Sequence, residues 1–136
     1  LICELNSTIE VLIYDGWGQF ELTQTTSTLP EDHTGFNGTA AIRITKDGQF
    51  VYGSNRGNDS IAVYTGLGDG IVELVQIVLT NGKSTRDFTL SPDENHLIVV
   101  HQDSDNATVF ARDTESGRLT ELYHDFYVPE AVCVTF

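Results

Sequence analysis

The stretches GSNRGNDSIAVY, at residues 53–64, and HQDSDNATVF, at residues 101–110, are two copies of one pattern. An offset of 46 residues places Asp59 on Asp105 and keeps the two stretches aligned without a gap. A further copy, ELNSTIEVLI at residues 4–13, aligns with the first at an offset of 52. Periods of this length are typical of four-stranded propeller blades and also of some helical repeats. The chain is therefore predicted to be a repeat array.

Local residue patterns decide between strands and helices. The segments between turn signals are short and rich in Val, Ile, Tyr, Phe and Thr, and several alternate apolar with polar residues, which is typical of strands. Turn sequences such as KDG at residues 46–48 and SPDE at residues 91–94 separate them. The predicted strands are residues 40–45, 49–54, 60–65 and 71–79 in one repeat, and 87–90, 96–101, 108–111 and 119–124 in the next.

The predicted fold class is therefore all-β, with propeller blades of four antiparallel strands. Residues 1–36 are predicted to form an incomplete blade, 37–82 and 83–128 two complete blades, and 129–136 the first strand of a closing blade. An open stack of about three blades leaves two apolar faces uncovered. We therefore expect further N-terminal blades, or a second copy of the chain, to close the propeller.

Composition narrows the classes of partner. The 136 residues carry 20 acidic and 7 basic side chains, and the net charge of −13 argues against nucleic acid and anionic membrane surfaces as partners. No apolar run approaches the roughly 18 residues of a membrane span, and no signal peptide is recognisable, which predicts a cytoplasmic protein. Cys3 and Cys133 lie at opposite ends of the chain and are expected to be buried free thiols. With no methionine and a strand-like start at Leu1, the sequence is expected to begin in mid-protein.

Four motifs occur in the order NSTIEVLIYD, ITKDGQFVYGSNRGNDSIAVY, GKSTRDFTLSPDENHLIVVHQDSDNATVFARDTESGRLT and VPEAVCVTF. Together they resemble the C-terminal part of the lactonase family of seven-bladed propellers, which includes the bacterial 6-phosphogluconolactonases. The resemblance implies a hydrolase of carbohydrate metabolism that opens a sugar lactone, above all the 6-phosphogluconolactone of the pentose phosphate pathway, without a metal or cofactor. Seven repeats need roughly 320 residues, so it also implies that about 180 upstream residues are missing and that the isolated chain is inactive.

The predicted blade geometry gathers several polar side chains. The hairpin of the first two strands of a blade brings the end of strand two and the start of strand one to the same rim, near the central axis. Glu4, Arg56 and Gln102 occupy equivalent positions at the ends of such second strands, and Arg86 lies at the start of a first strand. The repeats share the residues that build the strands and turns, but at the end of strand two they carry Glu, Arg and Gln in turn. We therefore expect these side chains to face a shared mouth.

The resemblance also suggests roles for individual residues. Glu4 matches a glutamate in the family's strand-end motif, and Arg56 matches the arginine of its SNR motif, so both are candidate catalytic residues. Arg86 falls on a recurring PR motif, although Thr85 stands where proline is usual, and it is a candidate substrate-binding residue. A histidine and another arginine of the family's site come from earlier blades and have no counterpart in this sequence.

Opening a lactone requires a base to activate water and donors for the carbonyl oxygen as it becomes an oxyanion. Glu4 could serve as that base or orient one, and the fork of donors on Arg56 suits a phosphate, a carboxylate or an oxyanion. Gln102 and His101, beside the same mouth, are further candidate substrate-binding residues. The expected partner is a small lactone or another anionic substrate.

Each candidate also has a structural interpretation. Glu4 could be an exposed carboxylate paired with a neighbouring arginine, and Arg56 could be a solvated loop residue. Arg86 could tie two blades together through Asp87 or another acidic neighbour, and His101 could make a structural hydrogen bond. For the whole protein, the alternative is a non-catalytic propeller that binds a small anion or a partner protein, because one fold serves many functions.

Metal ligands are not predicted. The four histidines have neither the HExxH nor the His-x-His spacing of a metal site. The sequence DSDN at residues 103–106 lacks the glycine and the glutamate of a calcium-binding loop.

Overall fold

The computed structural model describes residues 1–136, which form eleven β-strands in three antiparallel sheets and no helix. In each sheet, strands that follow one another in sequence are hydrogen-bonded neighbours, so every sheet is a meander. The first sheet contains β1 (Ile2–Cys3), β2 (Thr8–Tyr14) and β3 (Phe20–Ser27). The second contains β4 (Gly38–Ile44), β5 (Phe50–Arg56), β6 (Ser60–Gly68) and β7 (Ile71–Leu79). The third contains β8 (Thr85–Leu90), β9 (His96–His101), β10 (Asn106–Arg112) and β11 (Leu119–Tyr127).

The predicted all-β class and the two four-stranded repeats are confirmed by these sheets. The observed ends differ from the predicted ends by a few residues, chiefly because β4 and β8 begin two residues earlier and β11 continues to Tyr127. Residues 129–136 form no strand in this structure, since a strand requires a neighbouring strand with which to exchange hydrogen bonds. Their assignment to a closing blade stays a prediction. The structure contains no helix of a length and polarity suited to crossing a membrane. Both cysteines are free thiols, but their predicted burial is wrong, since Cys133 is exposed and Cys3 is only partly buried.

The second sheet is covered on both faces because alternate residues of its strands point to opposite sides. On β6, Ile61 and Val63 pack toward the third sheet, whereas Ala62 and Tyr64 pack toward the first. The larger cluster lies between the second and third sheets and consists of Phe50, Tyr52, Ile61, Val63, Phe88, Leu97, Val99, Phe110 and Leu119. The smaller cluster contains Ile9 from the first sheet with Ala62 and Tyr64 from the second.

A repeated aspartate links the second unit to the third, and the third unit to the residues that follow it. Asp59, at the turn after β5, has a positive φ of 49°, and its Oδ1 accepts hydrogen bonds from the backbone N–H groups of Ser84 and Thr85 at 2.8 and 3.3 Å. Asp105, its equivalent in the third sheet, has a φ of 53° and accepts one from the N–H of Glu130 at 2.8 Å. Ser84 and Glu130 are also equivalent, and both have positive φ. The chain therefore leaves the third unit as it leaves the second, which supports the prediction for residues 129–136.

Candidate functional site

A cavity of about 310 Å³ lies where the innermost strands of the three sheets meet. The first sheet contributes residues at the end of β1, the second contributes the start of β4 and the end of β5, and the third contributes the start of β8. Three of the residues predicted to face a shared mouth line this cavity. The lining residues are Ile2, Glu4, Thr39, Ala40, Arg56 and Arg86.

Glu4 and Arg56 form an ion pair inside the cavity, between Arg56 Nη2 and Glu4 Oε1. The guanidinium is the more enclosed partner, since the Arg56 side chain is 20% exposed and the Glu4 side chain 60%. Glu4 Oε2 receives no hydrogen bond from the protein, and Arg56 Nε is buried without a partner. The pairing that the structural interpretation of Glu4 expected is therefore present, and it leaves the second carboxylate oxygen of Glu4 without a partner.

A β-bulge places Arg86 at the cavity. Thr85 pairs with His101 and Asp87 pairs with Val100, so Arg86 is an extra residue with nothing opposite it on β9. Such bulges redirect a side chain without ending the ladder. The second sheet has the same irregularity between Thr39 and Ile42, which brings Ala40, the equivalent of Arg86, into the lining.

The structural interpretation of Arg86, a tie to Asp87 or another acidic neighbour, is wrong for this structure. Arg86 is exposed and makes no salt bridge, because the Asp87 carboxylate is occupied by Arg43, whose Nη2 lies 2.8 Å from Asp87 Oδ1. With two guanidinium groups and one carboxylate, the cavity carries an excess of one positive charge in a chain whose net charge is −13. Arg86 is its unpaired cation.

His101 and Gln102 do not line the cavity. The His101 side chain has no exposed surface, and its ring nitrogens lie 3.3 Å from Thr85 Oγ1 and 3.1 Å from Thr108 Oγ1. Burial lowers the pKa of His101, so its neutral form is favoured. Gln102 follows β9 directly, and its backbone N–H donates to the carbonyl oxygen of Ser84 at 3.1 Å. The geometry supports the structural interpretation of His101.

Sequence reasoning missed Thr39, which lines the cavity beside the ion pair. Its side chain is buried, and its hydroxyl has no hydrogen-bond partner. The available signal was the repeat itself, because the offset of 46 places Thr39 on Thr85 and therefore one residue before the position of Arg86.

The remaining histidines lie outside the cavity. His33 Nδ1 is 3.2 Å from Asn58 Nδ2. His124 Nδ1 lies 2.6 Å from a carboxylate oxygen of Glu121, which raises the pKa of His124. No group of three or more His, Cys, Asp or Glu side chains is arranged to hold a metal ion.

Comparison with known proteins identifies the family of this chain. The family model described as "Lactonase, 7-bladed beta-propeller" matches residues 1–136. A protein of Lactococcus lactis subsp. cremoris is 52% identical over 137 residues, which are 98% of this chain and 40% of the relative. The 6-phosphogluconolactonase of Bacillus subtilis is 39% identical over 138 residues, covering 100% of this chain and 40% of the relative.

Solved structures agree with these matches. A Lactobacillus plantarum protein superposes with a TM-score of 0.93 at 46% identity, over 96% of this chain and 38% of the other. The periplasmic gluconolactonase of Pseudomonas aeruginosa superposes with a TM-score of 0.87 at 29% identity, over 93% of this chain and 36% of the other.

Sheets of this form define part of a β-propeller, and the polar cavity lies where their innermost strands meet. The chain belongs to the lactonase family of seven-bladed β-propellers, as the four motifs indicated. It spans about 40% of the length of the curated relatives it matches.

Proposed function

We propose that this chain supplies part of the active site of a hydrolase that opens a sugar lactone, with 6-phosphogluconolactone as the substrate. The observation that carries the proposal is the cavity in which Glu4, with one unoccupied carboxylate oxygen, lies beside two guanidinium groups. The names of two relatives support it, since one is a 6-phosphogluconolactonase and another a gluconolactonase.

The proposed chemistry begins at Glu4. Arg56 holds one carboxylate oxygen, which leaves Oε2 to take a proton from water as the water oxygen attacks the lactone carbonyl carbon. The carbonyl oxygen becomes an oxyanion, and a guanidinium N–H in a partly enclosed cavity stabilises that charge. The bond from the carbonyl carbon to the ring oxygen then breaks, and Glu4 returns the proton to the departing oxygen. The product is the open-chain hydroxy acid.

Arg86 is assigned to the anionic group of the substrate. It is the unpaired cation of the cavity, and as the extra residue of the bulge it has no partner residue on β9. A guanidinium offers two parallel N–H donors, which match the oxygens of a phosphate. Arg56, the other guanidinium for which a phosphate was a possible ligand, is already engaged by Glu4.

Further blades are proposed to complete the site and to cover the outer faces of the first and third sheets. We therefore expect the 136 residues alone to be inactive. Closure by a second copy of the chain is the alternative, and a stable monomer in sedimentation would count against it. A cytoplasmic location stays a prediction.

The test uses a seven-bladed protein that carries these residues. Glu4→Gln keeps the shape of the side chain but removes the base, and we expect kcat to fall by about 100-fold or more. Arg86→Met should raise KM for 6-phosphogluconolactone more than for unphosphorylated gluconolactone. Arg118→Met, which alters an exposed arginine outside the cavity, is the matched control. Full activity of the Glu4→Gln protein would remove Glu4 from the proposed chemistry.

A second candidate, a propeller that binds a small anion without catalysis, is favoured by one observation. The Glu4 carboxylate already has an arginine partner in the unliganded structure, and an excess positive charge is sufficient for binding alone. Binding of 6-phosphogluconate by a complete protein that opens neither lactone would establish this candidate.

A further inference from the structure

Thr39 has an unusual environment for a buried hydroxyl. The residue is 1% exposed, lines the cavity, and its Oγ1 has no hydrogen-bond partner. A buried hydroxyl without a partner is costly, and most buried polar atoms in folded proteins have one. The backbone of Thr39, in contrast, has a partner, because its N–H donates to the carbonyl oxygen of Glu4 at 3.2 Å.

The third sheet contains an internal comparison. Thr85, the equivalent of Thr39 at the offset of 46, is also fully buried, yet its hydroxyl lies 2.9 Å from Thr80 Oγ1 and 3.3 Å from His101 Nδ1. His101 is the residue opposite Thr85 on the neighbouring strand. In the third sheet, the threonine hydroxyl is therefore satisfied by Thr80 and by the residue across the strand pair.

In the second sheet that partner is occupied elsewhere. The residue opposite Thr39 is Asn55, whose Oδ1 accepts hydrogen bonds from Thr28 Oγ1 and Asn37 Nδ2. Its Nδ2 donates to the carbonyl oxygen of Thr28 and to the hydroxyl of Ser60. The side-chain oxygen and nitrogen of Asn55 thus make all their hydrogen bonds with residues other than Thr39.

We infer that Thr39 is a ligand-binding residue of the cavity, whose hydroxyl forms a hydrogen bond with an oxygen of the bound anion. The inference rests on the proposed function for the identity of that anion, a sugar acid or a phosphorylated sugar lactone. A second vacant donor, Arg56 Nε, lies on the paired strand, one residue beyond the one opposite Thr39. A change of χ1 rotamer, a rotation of about 120°, moves a threonine hydroxyl to another staggered position, from which it can meet a ligand.

The test separates binding from stability with three substitutions in the seven-bladed protein. Thr39→Val keeps the shape of the side chain and should weaken the binding of 6-phosphogluconate about tenfold in titration calorimetry. The same substitution should leave Tm unchanged or raised, because no hydrogen bond of the free protein is lost. Thr39→Ser should restore the affinity. Thr85→Val is the structural comparison and should lower Tm by several degrees, because it removes partners from Thr80 and His101.

Two results would overturn the inference. One is equal affinity of the Thr39→Val and unsubstituted proteins, and the other is a fall in Tm for Thr39→Val as large as that for Thr85→Val. Lactone hydrolysis by the unsubstituted protein is measured in parallel. A protein that opens no lactone but loses affinity on Thr39→Val keeps the inference and removes the proposed function, whereas a protein that binds no 6-phosphogluconate removes both.

Discussion

Arg43 and Asp87 form a salt bridge of 2.8 Å between Nη2 and Oδ1 that joins the first strands of the second and third sheets. The other carboxylate oxygen, Asp87 Oδ2, accepts a hydrogen bond of 3.0 Å from the backbone N–H of Val134. The Arg43 guanidinium also lies 5.6 Å from the centre of the Phe88 ring. One largely buried carboxylate therefore connects the second unit, the third unit and the residues that follow the third.

Arg43→Met should lower the free energy of unfolding by about 1–2 kcal/mol, because it leaves the buried Asp87 carboxylate with one partner fewer. The expected loss is smaller than for a fully enclosed pair, since the Arg43 side chain is 39% exposed. Denaturant unfolding measures it, and a double-mutant cycle with Asp87→Asn isolates the pair. Arg118→Met should have no effect. Equal stability of the Arg43→Met and unsubstituted proteins would show that the salt bridge contributes nothing.

Asp59→Ala should destabilise the protein by about 1–3 kcal/mol, because two backbone N–H groups of the next unit lose their acceptor. Asp59→Asn is the matched variant, since asparagine keeps one acceptor oxygen and tolerates the positive φ of 49°. We expect Asn to cost less than half as much as Ala in denaturant unfolding. Similar losses for the two variants would mean that charge, rather than the acceptor, is what matters at this turn.

His101 should make stability depend on pH below neutrality. The unfolded chain binds a proton at His101 near pH 6.5, whereas burial lowers the pKa of the folded protein's His101. Between these values the unfolded state binds more protons, so stability falls as the pH is lowered from about 6.5, by up to about 1.4 kcal/mol per pH unit.

The check on His101 compares unfolding of the unsubstituted and His101→Asn proteins from pH 8 to pH 5. Asparagine is the residue at the equivalent position 55 and does not titrate. The variant should show a flatter dependence in this interval, whatever its stability at pH 8. His124, whose raised pKa has the opposite effect, is present in both proteins and cancels in the difference. Parallel curves would exclude His101 as the titrating group.

Gly82→Ala should lower Tm strongly, because a Cβ at this position would collide with the ring of the buried His101. Gly66→Ala is a suitable control. Neither glycine has a positive φ, and a Cβ on Gly66 would meet only backbone oxygens at an ordinary 3.6 Å. Thermal unfolding should therefore show a loss of several degrees for Gly82→Ala and almost none for Gly66→Ala. Similar shifts would mean that His101 can move aside.

The strands were predictable because their signals are local. The short run of β-branched and aromatic residues at 60–65 and the turn residues on each side place β6 whatever its neighbours are. Its far end was less predictable, since β6 continues to Gly68 through pairing with β7 and a register shift at Gly66. The repeat offset also predicted that the sheets follow one another in sequence order, because equivalent residues occupy equivalent places in successive units.

The site was predictable only in part, because partner choice depends on side chains from different units. The repeat brought Glu4 and Arg56 to one rim but could not show that they pair. It also could not show that Asp87 binds Arg43 and so releases Arg86. The free hydroxyl of Thr39 depends on how Asn55 distributes its four hydrogen bonds, which no local pattern records.

Because of the bulge, the side chain proposed to bind the substrate, Arg86, belongs to a residue that takes no part in the pairing of β8 with β9. A residue with nothing across from it can be exchanged without breaking any rung of the sheet, as the alanine at position 40 of the neighbouring unit illustrates. Mutation at such a position can therefore alter which ligand is accepted while the surrounding framework stays intact. A duplicated scaffold with one interchangeable position in each copy is well suited to the evolution of new specificities.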